Sequence, residues 1–159
     1  MPRWNSPQTT QAEKGWTLAK FAWVATGTGA ALLEIAFARW RLRGLVGRDL
    51  VEANGQAVTR GRNCREARSG DAEAVARVAW LVPRVAKRVP WRADCLVQAL
   101  AGQQMLLRRG IASEIVIGAD GRPDAGFIPH AWLRYGERTV TGGEIGHFEV
   151  LLDPDRHKD

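Results

Sequence analysis

The sequence predicts an α+β fold, with helices first and an antiparallel sheet after them. Three observations carry this expectation. Apolar residues recur at helical spacing through the first two thirds of the chain, short β-branched runs replace them afterwards, and the change falls at Gly110. A chain of 159 residues and 17.5 kDa suits one domain with a sizeable core.

Residues 1–15 hold Pro2, Pro7 and several Ser, Thr and Gln, so they read as a loose arm ahead of a single domain over 16–159. The uncharged stretch 21–33 covers 13 residues between Lys20 and Glu34. A bilayer span needs about 20. A core helix is therefore expected there, with contact at a membrane surface as the lesser alternative. Leu32, Ile35, Ala36, Arg39, Leu42 and Val46 mark a helix over 30–46, and Gly27 and Gly29 are expected to separate it from anything upstream. Residues 44–70, rich in Gly and polar side chains, read as a loop or weak helix.

Helical spacing returns at Val75, Val78, Ala79, Val82, Val85, Ala86 and Val89, and Pro83 inside that run should kink or break it. Asp94 is a good N-cap for a helix over 95–109 that buries Leu96, Leu100, Gln103 and Leu107. Arg108, Arg109 and Gly110 suit its C-terminal end. Strands follow at 111–118, 127–135, 137–141 and 147–152, with a turn at Asp120-Gly121 and a tight hairpin at Gly136-Glu137.

Composition excludes several classes. With 45% hydrophobic and 25% charged residues the chain is neither collagenous, disordered nor polytopic. The net charge of +6 is uneven: 11 Lys/Arg against 5 Asp/Glu in 1–70, 7 against 3 in 71–112, and 5 against 9 in 113–159. The basic residues are scattered as single Arg among Leu and Val, which describes solvated helix faces rather than a nucleic-acid surface. Cys64 and Cys95 are too few for a disulfide framework, and no signal peptide opens the sequence, so a cytoplasmic protein is expected.

Two residues stand out chemically. Cys95 falls in the first turn of a helix, where partial positive charge and free N–H groups favour a thiolate nucleophile. Against this, free cysteines commonly just pack in cores. His130 lies in an apolar strand and must satisfy its ring nitrogens by a core hydrogen bond or by pairing with a nucleophile such as Cys95. Cys64, His147 and His157 have no comparable placement. No metal-ligand spacing or nucleotide-binding loop occurs, so neither a metal nor a cofactor is expected.

The phrases CLVQAL at 95–100 and HAWL at 130–133, with ALLEIAFARWRL from Ala31 and VTGG from Val140, resemble the transglutaminase-like leader peptidases of lasso-peptide biosynthesis. The resemblance implies a transglutaminase-like or papain-like fold and proteolysis of a ribosomal precursor through an acyl-enzyme. The released core would go to a separate ATP-dependent cyclase. Carried over by motif, Cys95 is the nucleophile and His130 the base and then the acid. The backbone N–H of Cys95 is a candidate oxyanion donor.

The relatives' orienting Asp has no counterpart here. A two-residue turn would set His130 opposite Gly143, leaving Glu144 near but on the other face unless a bulge intervenes. Glu144 is the choice for the third member, with Thr141 or a backbone carbonyl as alternatives. A leader-binding winged-helix module has no room in this chain, so a separate recognition protein is expected. A non-catalytic scaffold of the same fold and a transglutaminase-like acyl transferase are the alternative functions.

Overall fold

A computed structural model describes residues 18–44, 47–64, 68, 70–122 and 126–153. The arm expected at 1–15 lies outside them. Among the described residues four helices, α1 (Leu18–Arg41), α2 (Gly47–Cys64), α3 (Asp71–Ala86) and α4 (Cys95–Leu107), precede four strands. These are β1 (Glu114–Asp120), β2 (Pro129–Tyr135), β3 (Arg138–Thr141) and β4 (Phe148–Leu152). The sheet is antiparallel throughout, in the order β3-β2-β1-β4.

The expected helices-then-sheet order is thus observed, and α4 is its centre. One side of α4 packs on α1 and α3, the other on β1, β2 and β3. Burial therefore extends nearly round the helix, over Val97, Ala99, Leu100, Ala101, Gly102, Gln103, Met105 and Leu106. The narrower stripe expected from Leu96 and Leu107 underestimates this, because both of those are only half-buried. A Cβ at Gly102 would lie 2.8 Å from Leu133 Cδ2, so the missing side chain is what lets helix and strand approach. Ile35, Leu106, Ile115 and Leu133 are among the largest fully buried side chains, each contributing about 1.5–3 kcal/mol.

Three helical expectations are corrected. Helix α1 runs unbroken through Gly27 and Gly29 and ends at Arg41. A Cβ at Gly27 would sit 2.7 Å from Leu81 Cδ1, so this glycine serves the α1–α3 contact rather than a break. The stretch expected to be loop or weak helix is α2, 18 residues long, held by Leu50, Ala57 and Val58 in the core. Pro83 does not interrupt α3, where it opens the final turn and Lys87 N–H still reaches its carbonyl. Its cost of about 3 kcal/mol is offset by burial of Val78, Leu81, Val82 and Val85.

The ends of α4 follow the sequence. Asp94 caps it, its carboxylate accepting from Val97 N–H at 3.2 Å. Gly110, at φ 69°, ends it in a left-handed turn closed by Ile111 N–H on the Leu106 carbonyl. Strand β1 begins later than expected, at Glu114. Beyond the reach of β4, the edge of β1 is closed by a side chain: Asn54 of α2 both donates to and accepts from the backbone of Ile115, at 2.8 and 3.0 Å. Gln103 of α4 donates to the same Asn54 oxygen at 2.7 Å.

Candidate active site

Cys95 is the first residue of α4 and half-buried, packed at the margin of the core. The Asp94 side chain occupies Val97 N–H and the Asp94 carbonyl occupies Gln98 N–H. Among the described residues the N–H groups of Cys95 and Leu96 have no acceptor. These are donors of the kind an oxyanion needs. The carboxylate of Asp94, next in sequence, partly offsets the positive end of the helix dipole.

His130 is the second residue of β2. Strand alternation puts Ala131 and Leu133 on the α4 side, in the core, and His130, Trp132 and Arg134 on the opposite face. There Gly118 is the register partner of His130, and the Trp132 ring lies where a Cβ on Gly118 would be, 2.9 Å from Cη2. The imidazole stacks on Phe148 of β4 at 4.5 Å between centroids and on Trp132 at 6.1 Å.

Its Nε2 is 2.7 Å from the Gly142 carbonyl oxygen. A carbonyl only accepts, so Nε2 carries the hydrogen, and in the neutral ring Nδ1 holds the lone pair. Among the described residues no hydrogen bond joins the Cys95 thiol to this ring.

The third position differs from the first choice. Leu133 pairs with Thr141 and Arg134 with Thr139, so Val140 is an extra residue in β3 and the register slips by one. Extended, that slip would set Glu144 opposite His130, but the strand ends at Thr141, and Gly142 (φ 113°) and Gly143 (φ 72°) turn the chain away. Glu144 is exposed in the loop that follows and has no hydrogen bond among the described residues. Thr141 shares the face of Leu133, against Gly102 of α4, rather than that of His130. The group that meets the ring is the Gly142 carbonyl. The Gly142-Gly143 doublet is the sequence signal that marks such a turned backbone.

Cys64 closes α2, His147 is exposed with its ring 4.2 Å from that of Phe148, and His157 lies outside the described residues. Sequence reasoning passed over Asp120, which shares the His130 face of the sheet. Its carboxylate accepts from Arg122 Nε at 2.9 Å and from Arg122 N–H at 3.0 Å. These bonds hold its carboxyl down at about 2, with a smaller contribution from His147, although burial acts the other way. Among the described residues no three His, Cys, Asp or Glu side chains gather as a metal centre, and no helix is long and apolar enough to cross a membrane.

No curated protein and no solved structure matches this chain. A family model described as the transglutaminase-like superfamily matches residues 30–153, which takes in Cys95, His130 and all four strands. That superfamily includes cysteine peptidases and acyl transferases and generally contains cysteine-dependent enzymes. With a helix-borne cysteine, a strand-borne histidine and a match over most of its length, the chain belongs to the transglutaminase-like superfamily.

Proposed function

We propose that the protein is a cysteine peptidase that removes the leader from a ribosomally made lasso-peptide precursor. The observation that carries this reading is the contact of His130 Nε2 with the Gly142 carbonyl: with Nε2–H spent on that acceptor, Nδ1 is left to act as a base. In the reaction Nδ1 takes the Cys95 proton and the thiolate adds to the amide carbon at the leader–core junction, forming a C–S bond. The N–H groups of Cys95 and Leu96 receive the oxyanion. Collapse breaks the C–N bond, and the His130 proton passes to the leaving amine, which becomes the amino terminus of the core. Water, activated by the same ring, then hydrolyses the leader thioester to a carboxylate.

Cys95 heads α4 and His130 lies on the sheet face turned away from that helix, so this reading requires the bound substrate to bring thiol and imidazole together. In this reading the Gly142 carbonyl, rather than Glu144, orients the ring. The setting is the cytoplasm, where a separate leader-binding winged-helix protein delivers the precursor and an ATP-dependent cyclase takes the core.

Mass spectrometry of a precursor incubated with this protein and the recognition protein tests the proposal. Cleavage at one bond, lost in Cys95→Ala, is expected; a Cys95→Ala variant as active as wild type would overturn it. An amine adduct of the leader in place of the free acid would identify an acyl transferase. One observation favours a second reading, a non-catalytic scaffold that holds the precursor or the cyclase: among the described residues no carboxylate bonds the His130 ring. Equally slow alkylation of Cys95 and Cys64 by iodoacetamide would support it.

A further inference from the structure

Helices α1 and α2 both pack on α4 and leave a groove between them, floored by Leu100, Gln103, Gln104 and Leu107. Its walls are Phe37 and Ala38 of α1 and Leu50, Ala53 and Ala57 of α2, where the small alanines leave a cavity of about 230 Å³. The apolar surface continues outward along α1. Leu33, Phe37 and Trp40, spaced at i, i+4 and i+7, are 71%, 46% and 65% exposed. Scattered exposed apolar residues need no explanation, but an aligned ridge beside a concave apolar slot marks an interaction surface.

Among the described residues the unpaired charge lining this groove has one sign. Arg41 from α1 and Arg60 from α2 line it, and among the described residues neither has an ion pair or hydrogen bond. Arg41 rests instead with its cation 5.8 Å from the Phe37 ring centroid. Among the described residues the one acid lining the slot, Glu34, is buried and already paired with Arg108 at 2.6 Å. The floor begins five residues along α4 from Cys95 and ends twelve along, roughly 8–18 Å away at 1.5 Å per residue.

We propose that this groove docks an amphipathic, acidic helix of a separate partner protein. An apolar side chain of that helix enters the cavity, its apolar face covers Phe37 and Trp40, and its carboxylates meet Arg41 and Arg60. A cavity walled on two sides suits an inserted side chain, whereas a lipid surface would call for a convex or flat face. The inference is independent of the role given to Cys95.

The test uses the full chain and two labelled, designed amphipathic peptides of about 16 residues that share one Leu/Phe stripe and carry either Glu or Lys beside it. By fluorescence anisotropy the Glu peptide is expected to bind at least about tenfold more tightly than the Lys peptide. The double variant Arg41→Glu, Arg60→Glu should reverse that order. Ala53→Trp, which fills the slot, should abolish binding with circular dichroism unchanged; if it does not fold, Trp40→Ser on the exposed ridge should weaken binding instead. Equal binding of the two peptides, binding of neither, or an affinity untouched by these variants would overturn the proposal. So would co-sedimentation with phosphatidylglycerol vesicles in the absence of peptide binding, which would make the ridge a lipid contact.

Discussion

Replacing Asn54 by alanine tests how the sheet is joined to the helices. Asn54 is 3% exposed and makes three hydrogen bonds, two with the backbone of Ile115 and one from Gln103. Gln103 keeps its second acceptor, the Ser113 carbonyl at 3.0 Å, so its loss is small. The Ile115 N–H and C=O have no such reserve, because β4 pairs with β1 only from Ile117 onward. Leaving two buried backbone groups unsatisfied costs about 1–3 kcal/mol each, so Asn54→Ala should destabilise the protein by about 3–5 kcal/mol.

With a urea m-value of about 2 kcal/mol/M, the unfolding midpoint followed by tryptophan fluorescence should fall by about 2 M. Asn54→Asp should not recover it, since it keeps the acceptor but sets a charge against the Ile115 carbonyl. In a double-mutant cycle, Gln103→Leu should cost clearly less in the Asn54→Ala background than in wild type. A midpoint shift under about 0.5 M would refute the reasoning, showing that water or a shift of β4 satisfies the exposed edge.

Other consequences follow from single contacts. The Asp120 carboxyl, held at about 2 in the folded protein against 3.8 ordinarily, contributes stability that is complete above 3.8 and lost as pH falls through about 2. In acid titrations Asp120→Asn should flatten stability across that window; an unchanged profile would contradict the Arg122 bond. The Thr141 hydroxyl is buried without a hydrogen-bond partner among the described residues. Thr141→Val should therefore raise stability by about 1 kcal/mol, read as a higher melting temperature. The same variant, and Glu144→Gln, should leave precursor cleavage intact, whereas a large loss in either would restore that residue as the orienter of His130. A Cβ at Gly118 would lie 2.4 Å from the Glu149 carbonyl. Gly118→Ala should thus loosen β4, lower stability by about 1–3 kcal/mol and, by moving Phe148, broaden the His130 ring signals in NMR spectra.

Features that depend on a few consecutive residues were legible in the sequence. Asp94 and Gly110 delimit α4, since a cap and a left-handed turn are satisfied within a handful of residues. Gly136-Glu137 set the β2–β3 hairpin, and strands β2 to β4 lie within a residue or two of where alternation puts them. Cys95 and His130 stand out in the sequence because each sits at an informative local position, a helix start and an apolar strand, and the structure keeps both positions.

What failed was whatever a neighbour distant in sequence decides. Gly27 reads as a breaker and the Gly-rich stretch 44–70 as a loop or weak helix, yet Gly27 and Gly61 each stand inside a helix where another element comes close: Leu81 in the first case and the Ala112 backbone in the second. Pro83 is tolerated because the faces packed around it outweigh one absent hydrogen bond. Gln103 reads as a plain core position but is one of the pair that ties α2 and α4 to the sheet.

The sequence by itself determined the order of helices and strands, the caps of α4 and the places of Cys95 at a helix start and His130 in a strand. Only the tertiary structure decided what holds His130. Ring orientation there depends on a one-residue bulge at Val140, two positive-φ glycines and a phenylalanine from the far edge of the sheet. A slip of one residue in a strand exchanges its two faces, and local sequence does not record such a slip until two strands pair.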